Sequence, residues 1–417
     1  MTGGNDSAES LPKENAVSRS GLLRTTEHHE SKLRFVPYAP DTWCPLLKSG
    51  ELKSNAILCV EFLGRNLAVF RGADGTLGAL VDRCPHRGVE LSLGRVCGRV
   101  IQCAYHGWKV DANGRVVSAP GIGVLNSGLR VEGHELRERF GVIWAFAGAR
   151  EDADSIPLPD LAPYGTGCSV DILMRKDVAA HWSLVLDNAL DLFHQHLHRD
   201  ISIFFRIESL EDFASDGARF DVHYKAVMSS HYGRRRRGDL RIQVNDNLVT
   251  LNLNGFPVIH SMATPRGADG RRLTIWWFVA CPGPYLHRLF TRAVRPVLSF
   301  YISKGFDQDV KVLESEQRAF ERGLRAQNEL NPVVIAAHRH FDARIAALTR
   351  AKSDGFKTER VSAGPLLEKA HAGHLAVVVL ERGQYALTDP AELSRRFGSA
   401  SDLRVAQHGN LVVICAD

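Results

Sequence analysis

Two short segments carry the residues with the clearest chemistry. Cys84-Pro85-His86-Arg87-Gly88 and Cys103-Ala104-Tyr105-His106-Gly107-Trp108 each place a Cys just ahead of a His, and 16 residues separate His86 from Cys103. Thiolates and imidazoles are the donors that hold transition metals. Two chemistries fit four of them: a zinc ion, or a two-iron cluster with both thiolates on one iron and both imidazoles on the other. Zinc fingers usually keep like ligands together, Cys-x-x-Cys and then His-x-x-x-His. Here each loop pairs unlike donors, which suits a cluster gripped between two loops. Gly88 and Gly107 follow the His residues and allow the tight turns that such loops need.

A second group lies on one stretch, Asp187-Asn188-Ala189-Leu190-Asp191-Leu192-Phe193-His194-Gln195-His196-Leu197-His198. The pattern predicts a helix from about His181 to His198, with His194 and His198 one turn apart on one face. Asp191 shares that face three residues before His194, and Asn188 lies three further back. His196 falls roughly 200° from His194 and points elsewhere. Two His and one carboxylate on one side of an iron leave positions open for oxygen and substrate. The carboxylate need not be near in sequence. Asp309, in Phe306-Asp307-Gln308-Asp309-Val310-Lys311-Val312-Leu313-Glu314, is the best candidate, with Asp307 and Glu314 as alternatives.

Elements must position both groups. Residues 1–34 are polar and read as a disordered tail. Short apolar runs at Ala56–Phe62, Leu67–Phe70, Leu77–Val81, Val100–Cys103 and Val142–Phe146, broken by Gly and Asp turns, predict an antiparallel β domain over 35–155. Strands are expected at Phe220–Met228, Leu240–Leu253 and Leu273–Val279, and helices at about Leu298–Glu329 and Asn331–Leu348. Residues 156–360 therefore read as an α+β domain, an antiparallel sheet covered by helices. A C-terminal extension, 361–417, holds apolar strands at His374–Leu380 and Asn410–Cys415 and is expected to pack on that domain. Ile203, Phe204, Phe205, Trp276, Trp277 and Phe278 are candidates to line an apolar pocket, although ordinary core is the commoner role for such residues.

Composition bounds the rest. The 417 residues are 44% hydrophobic and 24% charged, and the formal charge is +5. No aromatic-basic array points to nucleic acid. Arg234–Arg237 is the densest basic run; it reads as a loop or hairpin tip, or as a dock for an acidic partner with Lys109. Eight scattered Cys suggest a reduced, cytoplasmic chain without a disulfide framework. No secretory signal and no transmembrane segment are expected. Tyr285–Ile302 is amphipathic, a buried helix first and a peripheral membrane contact second. Gly121-Ile122-Gly123 lacks the strand-turn-helix setting of a dinucleotide site, so flavin and nicotinamide sites belong on partner proteins.

The paired loops resemble the Rieske motif, Cys-x-His, about 16 residues, then Cys-x-x-His, and the likeness extends to Pro85, Arg87, Gly88, Tyr105, Gly107 and Trp108. It implies that Cys84 and Cys103 bind one iron of a 2Fe-2S cluster and His86 and His106 the other. Respiratory Rieske proteins carry an extra Cys in each loop; these loops carry none and are similar to the oxygenase and ferredoxin subclass. The run Asn-x-x-Asp-x-x-His-x-x-x-His resembles the catalytic domain of Rieske non-haem iron oxygenases, over about residues 37–350 in all. In that family a late Asp is the third ligand, with a Glu five residues on; Asp309 and Glu314 match. The resemblance implies mononuclear Fe(II) on His194, His198 and Asp309. It also implies that Asp191, or Asp187 in its place, bridges His194 to a cluster His across a homotrimer interface, with Asn188 beside the site.

The implied function is the terminal oxygenase component of such a system. It would use dioxygen, and electrons ultimately from NAD(P)H through a ferredoxin and/or flavin reductase. The substrate would be hydrophobic and ring-containing, undergoing monohydroxylation, demethylation, desaturation or cyclisation. The alternative is a Rieske-type electron-transfer protein without oxygenase activity.

Overall fold

In the computed structural model the described residues are 32–39, 41–121, 128–198, 205–229, 235–253, 258–283, 285–324, 329–353, 359–372, 375–381, 384–399, 401–408 and 411–415. Short strands divided by turns build the first part of the chain into three antiparallel sheets. One holds Trp43–Lys48, Val142–Phe146 and Leu136–Arg139; the second holds Ile57–Phe62, Arg65–Arg71, Leu77–Val81 and Gly133–His134. The third holds Arg95–Cys97, Val100–Gln102, Lys109–Asp111 and Val116–Ser118. Ala68, Phe70, Leu80, Leu91, Ile101 and Val110 form a core that Cys84, Cys103 and Trp108 join. Both cysteine loops are thus rooted in packed hydrophobic structure.

The second part is a seven-stranded antiparallel sheet. Its order is Ser169–Val178, Leu273–Cys281, Val258–Pro265, Leu248–Leu253, Arg235–Asn245, Phe220–Ser229, Phe205–Ser215. The stretch Leu240–Leu253, expected as one strand, is a hairpin. Asp246 and Asn247 make its turn, with Asp246 in the left-handed region at φ 51°. Asp and Asn tolerate that region, so the turn was written in the sequence. Helices α1 (Trp182–Leu190), α2 (Tyr285–Glu321) and α3 (Pro332–Ser353) complete the domain. α2 begins before the expected Leu298 and runs through Pro296, a residue that removes one helical hydrogen bond without ending the helix here. The architecture is the expected all-β domain followed by an α+β domain.

Alternation along the strands gives the large sheet two apolar faces. Ile207, Phe220, Tyr224, Ile242 and Ile275 pack with Leu184 and Leu190 of α1 and Val333 and Phe341 of α3. Met262, Trp276 and Phe278 face the other way, into a core shared with Trp43, Trp144 and Phe146 of the first domain. Thr264 Oγ1 donates to Pro45 O at 2.6 Å, and Arg272 Nη1 bonds Glu61 Oε2 at 3.0 Å, across the same junction. One continuous core therefore fixes the two domains against each other.

Part of the expected tail is folded. Lys32–Phe35 form a 3-10 turn, and Leu33 and Val36 are buried in the core of the second domain, so the tail assigned to 1–34 is too long. At the other end, strands Glu359–Ser362, Asp402–His408, Leu411–Cys415, Ala376–Glu381 and Gln384–Leu387 form a five-stranded sheet. Ala376–Glu381 pairs in parallel with Leu411–Cys415. Ala376, Val378 and Leu387 reach the same core as Ala337, Phe341 and Ile345 of α3.

A buried ionic knot ties these elements together. His338 Nε2 on α3 lies 2.6 Å from Asp187 Oδ1 on α1. Arg34 Nη2 reaches Asp187 Oδ2 at 3.8 Å and Glu316 Oε1 on α2 at 2.8 Å. Burial disfavours a charged His338, but Asp187, by charge and hydrogen bond together, and Asp342 outweigh burial and the opposing Arg34, so its pKa is raised. Glu329 also faces this group. A raised folded pKa means the pair's stability is full below the unfolded value of about 6.5 and is lost as pH climbs through the folded one. His338→Leu is expected to cost about 3–5 kcal/mol at low pH, where it removes one partner of a buried ion pair. The cost should shrink in mildly alkaline buffer. Denaturant unfolding of both chains across that window checks this; a pH-independent difference contradicts it.

Candidate metal centres

The two cysteine loops are built alike. Cys84 N–H donates to Val89 O at 2.7 Å and Gly88 N–H to Cys84 O at 2.8 Å. Cys103 N–H donates to Trp108 O at 2.8 Å and Gly107 N–H to Cys103 O at 3.2 Å. Gly88 (φ 75°) and Gly107 (φ 70°) take the left-handed conformation that closes each loop. The loops meet like to like. The Cys84 and Cys103 thiols lie in hydrogen-bond contact, and the His86 and His106 rings are 4.6 Å apart between centroids. The sulfur side is buried, His86 is half-buried and His106 is exposed. His86 stacks on Trp108 at 4.6 Å, with the rings 2° from parallel.

Chemistry tests the fit. Burial pushes the Cys84 thiol up, while the N–H groups of His86 and Arg87 aim at its sulfur and favour thiolate. His86 Nδ1 is buried without a hydrogen-bond partner. Both are marks of a metal-binding donor set. Among the described residues only His194, His198 and Asp309 bring three donor atoms within 4.8 Å of one another. The four loop donors come as a thiol pair and an imidazole pair, the division of ligands that a two-iron cluster takes.

The second group also converges, by a different local route from the one expected. The helix from His181 breaks: α1 ends at Leu190, and Leu192–His198 form a 3-10 turn. Asp191 makes the break at φ −89°, ψ 86°, its carboxylate accepting from Phe193 N–H at 3.0 Å. An Asp side chain that satisfies nearby backbone competes with helix continuation. Tyr224 Oη donates to Leu190 O at 2.6 Å and secures the end of α1. Gln195 clamps the turn to the edge strand, bonding Ile207 N–H at 2.8 Å and Ile207 O at 3.2 Å.

On this frame the His194 and His198 rings sit 5.3 Å apart. Asp309 Oδ1, from α2, lies 3.2 Å from His198 Nε2 and 3.6 Å from His194 Nε2. The other ring nitrogens are taken: His194 Nδ1 by Asp191 O, and His198 Nδ1 by Gln308 Oε1 at 3.0 Å. Two acceptors on Nδ1 fix both imidazoles as Nδ1–H tautomers with Nε2 free to ligate. Asn188 Nδ2 reaches Asp309 Oδ1 at 3.4 Å. Burial raises the Asp309 pKa, with His198, His194 and Asn188 opposing the rise. A buried carboxylate between two imidazoles is a donor set in want of a cation, and it fits iron.

The alternatives to Asp309 are engaged elsewhere. Asp307 pairs with Lys176, and Glu314 Oε1 accepts from Ala179 N–H at 3.1 Å. Asp187 holds a histidine, but that histidine is His338. His196 is exposed and outside the group. Trp276 and Phe278 are buried in the core at the domain junction; Trp277 packs on Phe306 at 5.6 Å, close to Asp309 in sequence. Ile203, Phe204 and the Phe205 side chain lie outside the described residues. Arg234 also lies outside them; Arg235–Arg237 continue on a strand, and Arg237 pairs with Glu208 at 3.1 Å. Gln308, Gln195 and Tyr224 escaped the sequence reading, and only the adjacency of Gln308 to Asp309 hinted at a role.

Residues 42–128 match the family model of the Rieske [2Fe-2S] domain. A 4β-methylsterol monooxygenase of Methylococcus capsulatus is 29% identical over 337 residues, 74% of this chain and 89% of that protein. The oxygenase component of a dicamba O-demethylase of Stenotrophomonas maltophilia is 37% identical, over only 32% of this chain and 40% of its own length. A crystal structure of dicamba monooxygenase bound to dicamba superposes with a TM-score of 0.61 at 21% identity, covering 77% of this chain and all of that one, a likeness of fold. Fold, paired loops and relatives together define a Rieske non-haem iron oxygenase. The relatives matched are terminal oxygenase components, and the chain has the cluster domain together with a three-donor group that could hold a mononuclear iron.

Outer hydrogen bonds of this kind typically change metal affinity about 10–100-fold. Gln308→Leu is therefore expected to weaken mononuclear iron binding by that factor and to leave the visible spectrum of the cluster unchanged. Iron titration with absorption spectroscopy reads both; unchanged iron affinity argues against the assigned tautomer.

Proposed function

We propose that His194, His198 and Asp309 hold the mononuclear iron and that Cys84, His86, Cys103 and His106 hold the cluster. The convergence of three donors from two distant segments, with both Nδ1 positions occupied, carries this reading. When bound, the cluster passes single electrons and the mononuclear iron activates dioxygen. The protein's own work is positional. Gln308 and the Asp191 carbonyl orient the imidazoles, and Asn188 steadies Asp309.

The chain acts as a homotrimer in this reading. Two exposed apolar surfaces adjoin the two centres: Tyr105, 58% exposed, beside His106, and Phe193, 46% exposed, beside Asp191. Burying one against the other in a neighbouring copy would bring Asp191 up to His106 of the partner subunit. Asp191 is thus a positioning bridge between sites. Reducing power comes from NAD(P)H through a ferredoxin or flavin reductase in the cytoplasm.

The substrate is small, hydrophobic and ring-containing. Polycyclic compounds come first, because the relative matched over most of its length is a methylsterol monooxygenase. Purified chain with a surrogate ferredoxin and reductase is expected to contain about three irons per chain and to consume dioxygen only with substrate. Product mass identifies the reaction: one oxygen gained, two hydrogens lost, or a methylene lost. A reducible cluster with no second iron and no substrate-dependent oxygen uptake would establish an electron carrier instead.

A further inference from the structure

The two cysteine loops close alike but are rooted differently. Loop 103–108 springs from a strand pair: Gln102 faces Lys109, and Ile101 faces Val110, in the antiparallel ladder directly beneath it. Loop 84–89 has no ladder at its root among the described residues. Strand Leu77–Val81 stops three residues before Cys84, and Leu91–Leu93 on the far side form a 3-10 turn. A side chain bridges the gap instead. Asp82 Oδ1 accepts from Ser92 N–H at 2.7 Å, and Asp82 Oδ2 accepts from Ser92 Oγ at 2.5 Å. Asp82 N–H donates to Asn66 O at 2.8 Å, which fixes Asp82 to the neighbouring strand. The Asp82–Ser92 pair thus encloses the loop just outside the bond from Cys84 N–H to Val89 O.

Ser92 carries this hold across to the second loop. Gly94, two residues on, lies against the Gln102 carbonyl, where a Cβ would stand only 2.2 Å from the oxygen. Arg95 then pairs with Gln102 as strand Arg95–Cys97 begins. Asp82 is therefore joined, through Ser92 and Gly94, to the residue that precedes Cys103. Its carboxylate is 8% exposed and also meets the Cys59 thiol. Among the described residues no Lys or Arg pairs with it. Arg83, its chain neighbour, lies over Gly88 instead, where a Cβ would meet Arg83 Nε at 3.2 Å. Hydrogen bonds to a charged acceptor can hold a carboxylate out of water without a cation.

We propose that Asp82 is a positioning residue for the cluster. It holds the loop of Cys84 and His86 in register with the loop of Cys103 and His106, and its charge, offset by no cation, lowers the cluster's reduction potential. The inference rests on the proposed ligation of the cluster by those four residues. Ligands supplied by two separate loops are only as well placed as the loops are fixed to each other. A negative charge close to a redox centre disfavours the added electron, and more so where water is excluded. One side chain therefore sets both the placement of the ligands and the energy of the electron they hold.

The test uses the full chain with its cluster assembled. Asp82→Asn keeps an acceptor for Ser92 N–H and gains a donor for Ser92 Oγ, so the hold survives while the charge is removed. Its visible spectrum should match wild type, and its reduction potential, titrated with EPR detection, should shift upward. Ser92→Ala keeps the charge and removes one bond to it. Release of cluster iron to a chelator should then quicken about tenfold, with the potential moved less than in Asp82→Asn. Asp82→Ala loses charge and hold together and should release iron faster still; if that chain fails to fold, the other two variants decide. An unmoved potential in Asp82→Asn overturns the proposal, and so does wild-type iron release from Ser92→Ala. A merely structural support would alter release and unfolding while leaving the Asp82→Asn potential in place. A wild-type chain without the absorption and EPR signals of a Rieske centre overturns the ligation itself, so the two readings fail separately.

Discussion

A buried carboxylate facing two imidazoles is the constraint around which the second domain is arranged. Asp309 is 8% exposed, and among the described residues no Lys or Arg is named among the charges that act on it. Removing a carboxylate from water costs several kcal/mol unless a cation or good hydrogen bonds compensate. One hydrogen bond from Asn188 at 3.4 Å is long and cannot do this alone. The site therefore stores a deficit of positive charge that a divalent metal would meet. That deficit tolerates little movement, because compensation by coordination depends on ångström-scale placement.

The surrounding fold supplies this placement. Tyr224 and Gln195 tie the histidine turn to the sheet, and the Arg34–Asp187–His338 knot ties α1 to α3 and to the Lys32–Phe35 turn. Glu316 extends the knot to α2 beyond Asp309. Elements distant in sequence are thus pinned on both sides of the metal donors. The core shared by Trp43, Trp144, Phe146, Trp276 and Phe278 does the same between domains, so the cluster loops stand on a rigid base relative to the sheet.

Legibility in the sequence followed the physics of each feature. The cysteine loops could be read almost whole, because their hydrogen bonds close within six residues and their glycines declare the turn. The strands of the first domain could be read for the same reason, as local alternation between turn residues. The histidine turn was only half legible. Its donors were identified by assuming an α-helix, yet Asp191 ends the helix and the residues converge through a 3-10 turn held by Gln195 and Tyr224. Those supports are long-range contacts that periodicity cannot encode. Trp276 and Phe278 illustrate the same limit, since an apolar strand residue reads alike whether it faces a pocket or a domain junction. Leu33 was hidden inside a polar segment because a single buried residue leaves no periodic trace.

In the proposed arrangement, the break at Asp191 lets one residue serve two centres. In a continuous helix its carbonyl would be committed to the helical ladder. At φ −89°, ψ 86° that carbonyl instead accepts from His194 Nδ1. The carboxylate, half-buried at the chain's surface, spends one oxygen on Phe193 N–H. Main chain and side chain thus divide the labour: one orients an iron-site imidazole, and the other faces outward beside the exposed Phe193. Replacing Asp191 by Asn would keep the carbonyl and the turn while removing only the charge. The two roles are therefore separable by chemistry, which a bridge made by a side chain on an unbroken helix would not permit.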